Sequence, residues 1–543
     1  MGWGVFLACW LAAAAVALAL GRDTSWDLRN YHFYNAYALL EGRWSIDLTP
    51  ARAHTFLHPG LDLPFYLLTQ SPLNAWPRTV SALQAGYAGL LAFLAIALAN
   101  LALHGDARRV TPASALAALF GLTGAATLPE VASTYNDIQT GCLVLGALLA
   151  LLLAPVAEGT PRAAGLRLLA GFLGGCAMGL KLTAFIFPPA LALAAVVAAR
   201  GGAARLRALG PLSLGGALGL AITYGPWGWF LWHRYENPFG SFANNIFRSP
   251  LFPLEGQRDE SFLPDSIGTA IIYPFIWARR SVAVVLEPPL ADPRFAISLT
   301  ALLLAIILAA WRLRRGTGSL PNGREEVAAR STAAILTFIL AGYVAWLVTF
   351  SILRYTVPIE ALLGIPVWAA TREVLLASRP TGARIPPAGW WRAGATLPLA
   401  TAFFICAIVT EYPVHPREPF FWEREPRGAA VLSVPRSPLP EGSLVVLLGP
   451  AVSFVAPSLA APGVRFVGGP NPNWAGTASD PASYAALVLR EVRSHPGPAF
   501  LLLEDPSDYD TEAAGVLGIT FDPASCRPVP NNVTRVVRLC RWR

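Results

Sequence analysis

The sequence predicts a polytopic α-helical membrane protein carrying a small α/β domain at its C-terminal end. Three observations lead there. The 543 residues are 54% hydrophobic and only 14% charged, whereas soluble domains hold about 25% charged residues. Apolar runs of spanning length recur as far as about residue 410, joined by short arginine-rich connections. Near Glu411 the composition turns polar and the remaining apolar runs shrink to strand length.

The first run, about Gly2 to Leu20, is long enough to cross a bilayer. No basic segment opens it and no persuasive cleavage site closes it, so it is expected to be a retained helix and not a signal peptide. A first outer loop, 22–81, follows with too many prolines and polar residues to span. Further apolar runs lie at 82–103, 113–128, 138–156, 165–180, 183–199, 208–232, 294–311, 331–350, 355–370 and 394–410, which makes eleven spans. The connections at 104–112, 157–167, 199–208, 312–330 and 371–392 carry sixteen arginines, Arg200, Arg379 and Arg384 among them. The alternate connections, 129–137, 181–182 and 351–354, carry only Lys181 and Arg354. Arginine-rich loops stay in the cytoplasm, so the N-terminus lies inside and the loop bearing Asp27 lies outside. The formal charge of +8 therefore speaks to topology and anionic lipid, and not to nucleic acid.

A long outer segment, 233–293, contains Arg258-Asp259 and an apolar aromatic stretch at 267–277. It suits one or two helices lying in the interface plane over a cavity; a plain connector of this length is uncommon. The multi-span part thus covers 1–410 and an extracytoplasmic α/β domain covers 411–543. In the latter, Leu444–Leu448, Val464–Val467 and Ala499–Leu503 suit strands. Asp480-Pro481 suits the start of a helix reaching about Arg493, and Arg535–Arg541 alternates like a half-buried strand. Cys9, Cys142, Cys176 and Cys406 lie in apolar runs, while Cys526 and Cys540 lie in the polar end, where an oxidising compartment allows a disulfide.

Ionisable groups at the edge of a span are costly and usually face a cavity or a partner. Asp23 and Asp27 follow the first span, and Glu130, Asn136 and Asp137 open the outer end of the fourth. Lys181, the single lysine beside forty arginines, sits in a short outer turn, and Arg354-Tyr355 closes the ninth span. All lie on one outer face, so they are expected to share a polar cavity; two structural ion pairs locking helices together are the alternative. On a helix, Asp27, Tyr31 and Tyr34 fall on one face. A carboxylate there suits the removal of a proton from an acceptor hydroxyl, although a Trp/Tyr interfacial anchor has the same composition. Lys181 and Arg354, with Tyr355, suit a lipid-linked phosphate and the charge that grows on it as a sugar leaves. Asp137, with Asn136, Tyr31 and Glu130, suits orientation of the acceptor, and Asp23 is the rival base.

In order and shared side, these motifs resemble the GT-C class of integral-membrane glycosyltransferases over about residues 1–370. Asp27-x-x-x-Tyr31 followed by Ala38-Leu-Leu-Glu-Gly-Arg43 resembles the class's first-loop motif. Asn136-Asp137 resembles its second acidic position, Gly179-Leu-Lys181 its glycine-x-lysine hairpin, and Leu353-Arg-Tyr-Thr-Val-Pro358 the arginine-tyrosine and proline of the polyprenyl-phosphate-sugar-dependent members. The basic residue often found before the second acid is missing here. The resemblance implies Asp27 as base, a polyprenyl-phosphate sugar as donor and no required cofactor or metal. It further implies a glycan, lipid or protein acceptor, and a place in the cytoplasmic (inner) membrane with the C-terminal domain outside. The rival functions are a polysaccharide ligase or polymerase with a lipid-diphosphate donor, a transporter, and a structural protein whose outer domain is a binding module. A transporter typically buries its charges near the midplane and carries repeats; here the charges gather at one face.

Overall fold

The computed structural model describes residues 2–157, 160–199, 201–255, 259–315, 323–378, 388–420, 430–449, 451–469, 480–504, 514–534 and 536–542. Arg200, Arg258, Arg379, Arg384 and Arg535 lie outside the described residues. The helices in chain order are α1 (Trp3–Leu20), α2 (Phe33–Leu40), α3 (Leu63–Gln70), α4 (Pro77–His104), α5 (Pro112–Leu122), α6 (Asp137–Leu153), α7 (Pro161–Leu180), α8 (Phe187–Ala198) and α9 (Gly202–Thr223). They continue with α10 (Gly225–Tyr235), α11 (Asn244–Phe247), α12 (Ile267–Ile276), α13 (Arg294–Arg314), α14 (Arg324–Thr349), α15 (Val357–Glu360), α16 (Gly364–Ala377) and α17 (Ala388–Val409). This is a multi-pass membrane protein.

Every expected span coincides with a helix, but their lengths differ. Among the described residues, α1, α4, α7, α9, α13 and α14 are long and apolar enough to cross a bilayer unaided. The span expected at 113–128 stops at Leu122, and that at 208–232 breaks at Tyr224 into α9 and α10, where Gly225 and Pro226 follow. The span expected at 355–370 is the short α15 followed by α16. α1 leaves Trp3, Leu7 and Leu11 exposed, as a helix apolar on every side does when lipid surrounds it. Its inner edge meets α4 at Gly89, where any side chain would collide with the Trp10 backbone.

Close approach also fixes α7 against α9. Gly171, Gly175 and Gly179 recur every fourth residue on α7, and Gly215 and Gly219 do so on α9. A methyl group at Gly171 or Gly175 would strike the carbonyl of Leu212 or Gly216, and one at Gly215 or Gly219 that of Leu168 or Phe172. Small residues at this spacing let two helix backbones touch inside a membrane. In the outer segment, α12 leaves Ile267, Ile271, Ile272 and Phe275 exposed, as expected for a helix lying in the interface.

The strands are β1 (Arg22–Asp23), β2 (Arg417–Glu418), β3 (Leu444–Leu447), β4 (Arg465–Gly468), β5 (Ala499–Leu503), β6 (Arg527–Pro528) and β7 (Arg538–Arg541). β1 and β2 pair antiparallel. The others form a sheet in the order β4-β3-β5-β7-β6, parallel between β4, β3 and β5 and antiparallel beyond. The short α18 (Ala456–Leu459) lies between β3 and β4 in the chain, and α19 (Tyr484–Ser494) lies between β4 and β5. Its N-cap is Ser483, whose hydroxyl accepts from the Ala486 amide, and not the Asp480 of the sequence reading. Cys526 and Cys540 are joined in a disulfide.

The outer loop 22–81 and this sheet share one hydrophobic core. Leu28, Phe33, Tyr34 and Trp44 pack with Val446, Phe466 and Leu502, and Trp227 and Leu231 of α10 join them. Leu48 continues the sheet beside β4 through Leu48 N to Phe466 O and Gly468 N to Leu48 O. Arg43 binds Asp47 and donates to the Val464 carbonyl at 2.7 Å, while Asp47 accepts from Phe466 N at 2.9 Å.

Candidate active site

The loop after α1 enters the site through β1. Asp23 accepts from Ser25 N with one oxygen, and from Thr134 N and Oγ1 with the other, all at 2.8 Å. Asp23 therefore ties the first loop to the turn before α6. From Leu28 to His32 the backbone makes a π turn and only then becomes α2. A π turn inserts one residue into the helical phase and is frequent at functional positions. It undoes the expected common face: Tyr31 Oη donates to Asp27 Oδ2 at 3.1 Å, but Tyr34 Oη donates to Asp47 at 2.5 Å.

Four charged side chains meet where the first loop packs against the start of α6, the end of α7 and the turn after α14. Arg354 Nη1 donates to Asp27 Oδ2 at 2.8 Å, and its guanidinium lies 5.1 Å from the ring centre of Tyr135 and 5.2 Å from that of Tyr355. Lys181 pairs with Asp137 Oδ1, donates to the Tyr135 carbonyl at 2.7 Å and sits 5.4 Å from the Tyr355 ring. Tyr135 and Tyr355 thus hold the two ion pairs side by side. Asp137 opens α6 and Lys181 follows the end of α7, each at the helix end that favours its charge. The cations are the more accessible partners: the Lys181 and Arg354 side chains keep 17% exposure each, against 4% for Asp137 and 11% for Asp27. An incoming anion reaches them first.

Electrostatics separate the carboxyls. Burial pushes the Asp27 carboxyl up, but Arg354, His32 and His54 together bring it below the ordinary value. Glu130, only 2% exposed, is raised well above its ordinary value by burial and by Asp137, and neither of its oxygens has a partner. Burial, followed by the neighbouring Asp27, raises the Tyr31 hydroxyl. His54, stacked on Tyr31 with ring centres 5.0 Å apart, is lowered to about 4, chiefly by burial.

The geometry therefore joins Asp27, Tyr31, Asp137, Lys181, Arg354 and Tyr355, with Glu130 buried nearby and Asp23 bracing the loop. Asn136 takes the left-handed conformation, φ 67°, which asparagine tolerates. It turns toward Asp62 and donates to Oδ1 at 2.6 Å. Sequence reasoning missed Asp62, Tyr135 and Arg417. Arg417 clamps three carbonyls, those of Gly21, Pro129 and Val131, and so binds β2 to both loops.

The fold is of the GT-C class of membrane glycosyltransferases. A solved structure of ArnT from Cupriavidus metallidurans bound to undecaprenyl phosphate aligns over 98% of this chain and 97% of that chain, with a TM-score of 0.51 and 15% identity. The same protein in the apo state gives 0.48 and 14% over 98% and 97%. The apo oligosaccharyltransferase of Archaeoglobus fulgidus gives 0.44 and 14% over 92% of this chain and 69% of that chain. No family model and no curated protein matches the sequence.

Proposed function

We propose that the protein is a glycosyltransferase moving a sugar from a polyprenyl-phosphate donor to an acceptor hydroxyl on the outer face of the cytoplasmic membrane. The observation that carries this reading is the convergence of Asp27–Arg354 and Asp137–Lys181, from four distant segments, at one rim of the helical bundle. The undecaprenyl phosphate in the ArnT complex supports a donor of the same kind. The Cys526–Cys540 disulfide supports an oxidising, extracytoplasmic side for the C-terminal domain, which we take as 411–543 beside a multi-span part at 1–410.

A polyprenyl phosphate keeps its chain in the bilayer and presents its phosphate at the rim. Arg354 and Lys181 bind that phosphate, and their charge offsets what develops on it as the bond to the anomeric carbon breaks. Phosphate binding draws Arg354 partly away from Asp27 and so raises the basicity of that carboxylate. Both protein donors converge on Asp27 Oδ2, which leaves Oδ1 to receive the acceptor hydroxyl. The acceptor oxygen attacks the anomeric carbon as its proton passes to Asp27. Asp137 holds Lys181, and Tyr355 lies against both cations.

The test is to incubate purified protein in nanodiscs with polyprenyl-phosphate sugars and detect released polyprenyl phosphate. Release that is lost in Asp27→Asn and Arg354→Ala, with both variants normally inserted, supports the reading. Turnover of diphosphate donors alone assigns the protein to the ligase or polymerase class. Full activity in both variants removes the proposed roles.

A further inference from the structure

The far end of α4 borders a cavity of its own. α4 starts with Pro77 beside the first outer loop and closes with His104, a climb of about 42 Å at about 1.5 Å per residue. There α4 meets α5, α14 and α16 around a space of about 170 Å³. A pocket for a sugar or similar small molecule needs roughly 300 Å³ or more, so this one suits a single small group. Its walls are fixed. Asn100, fully buried, donates to the Asp106 carbonyl and accepts from Thr111 Oγ1 at 3.2 Å, and His104 Nε2 lies 2.9 Å from the same hydroxyl. Gly105 has φ 68°, and a side chain there would strike the Arg324 carbonyl. The end of α4 and the start of α14 therefore touch, which brings Arg324 to the cavity.

The floor is apolar, with Ala102, Leu103, Ala328 and Trp368, while the charged lining has a cationic excess. Arg109, Arg324 and Arg372 stand against Asp106 and Glu325. Arg109 Nε and Arg324 Nη2 lie 3.8 Å and 3.9 Å from the same Asp106 Oδ2, too far for hydrogen bonds, and their side chains are 72% and 68% exposed. The other Asp106 oxygen accepts from Arg108 N at 2.9 Å. Arg372 donates to Glu373 at 3.1 Å, and Arg312 of α13 donates to the second oxygen of that carboxylate at 2.5 Å. Close by on α13, Trp311 is partly exposed and carries Arg315 4.0 Å from its ring centre. Exposed tryptophan marks the headgroup level of a bilayer. The connections at this end, 104–112, 312–330 and 371–392, are among the arginine-rich ones that the sequence assigns to the cytoplasm.

We propose that this cavity binds the phosphate of an anionic phospholipid of the cytoplasmic leaflet, with Arg109 and Arg324 as its principal ligands and Arg372 as the third cation. Basic pockets between spanning helices on that side suit anionic headgroups. The phosphate gives Arg109 and Arg324 charge-assisted hydrogen bonds in place of their long contacts to Asp106. A soluble phosphate ester offers the same group, but the position of the cavity, at the ends of the spanning helices α4 and α14 and beside Trp311, favours the lipid. The site lies at the other end of α4 from the first outer loop, and its occupation does not depend on the transferase reading.

The experiment is native mass spectrometry of the full-length protein in zwitterionic detergent, titrated with phosphatidylglycerol or phosphatidylcholine and with no sugar donor present. The wild type is expected to hold one phosphatidylglycerol in preference to phosphatidylcholine. Arg109→Gln/Arg324→Gln is expected to weaken that binding about 10-fold or more, with the melting temperature before lipid addition unchanged because both side chains are largely exposed. Arg205→Gln/Arg207→Gln removes the same charge from exposed positions of α9, outside the cavity lining, and is expected to leave binding intact. Equal binding of the two lipids, or equal loss in the two double variants, overturns the proposal. Displacement of phosphatidylglycerol by the same concentration of glycerol 3-phosphate also overturns it, and assigns the cavity to soluble phosphate esters.

Discussion

Arg354 reaches across 327 residues of sequence to place Nη1 2.8 Å from Asp27 Oδ2, while its guanidinium lies near the rings of Tyr135 and Tyr355. This one side chain joins the first outer loop to the end of α14. Asp27→Asn keeps the shape and an accepting oxygen, so it should insert normally and lose about 100-fold or more in transfer rate. Arg354→Ala strands a mostly buried carboxylate and should lower stability by about 3 kcal/mol. Arg354→Lys keeps the charge but loses the planar fork, and should weaken donor binding more than stability. Thermal unfolding in detergent beside donor-dependent rates separates these outcomes.

Stability should fall on mild acidification. His54 is lowered from 6.5 to about 4, and His415 is likewise lowered to about 4, with burial the largest cause in both. The unfolded chain takes up these protons near pH 6.5, whereas the folded chain refuses them until about pH 4. Full stability is therefore present above about 6.5 and is lost as pH drops through the interval to about 4. The Asp27 carboxyl, shifted down, withdraws its contribution only at more acidic pH, below the ordinary carboxylate value. Melting temperatures between pH 7 and 4 should decline in the wild type and decline less steeply in a His54→Gln/His415→Gln double variant.

The spacing of α7 and α9 should control donor binding from a distance. Gly175→Leu forces the two backbones apart, because any side chain there strikes the Gly216 carbonyl. Lys181 follows the last turn of α7, where its amide donates to the Ala177 carbonyl at 3.0 Å. A displaced α7 carries Lys181 away from Asp137. Binding of polyprenyl phosphate should weaken even though residue 175 touches no ligand, whereas Gly165→Ala, which meets nothing, should change neither binding nor melting. Unchanged affinity in Gly175→Leu would count against this coupling.

Opening the disulfide should loosen only the C-terminal sheet. Cys526 and Cys540 are separated by 14 residues and close a loop onto β7. Removing a crosslink over a loop of this size costs about 3 kcal/mol of folding stability in the chain-entropy account. A Cys526→Ser/Cys540→Ser variant should become more sensitive to protease in that region while α4 and α7 remain protected, as mass analysis of the fragments would show.

Much of the site was legible because charge is conspicuous beside lipid. Asp27, Asp137, Lys181 and Arg354 stand next to apolar runs where an ionisable side chain needs a reason, and the arginine count placed them on one face. Asp62 and His32 carried no such signal. They lie in a polar loop where any acid or histidine is unsurprising, and their pairing exists only after the loop folds against α4 and α6. The π turn at Leu28–His32 was equally hidden, since no local composition announces an inserted residue. It is why Tyr34 serves Asp47 and not Asp27. Among the elements of the fold, the apolar runs gave helix positions well but not their breaks, because the shortening of α5 depends on tertiary contact. At Gly121 and Gly124, just inside and just past its end, any side chain would collide with Glu360.

The core shared by the first outer loop and the C-terminal sheet sets an order of events during biosynthesis. Leu28, Tyr34 and Trp44 leave the ribosome hundreds of residues before Val446, Phe466 and Leu502, against which they finally pack. The loop bearing Asp27 therefore stays incompletely packed until the end of the chain has been made and meets it. Folding of that loop is consequently a late step, and a nascent chain halted after α17 would have its helices in place but the Asp27 loop without its core partners.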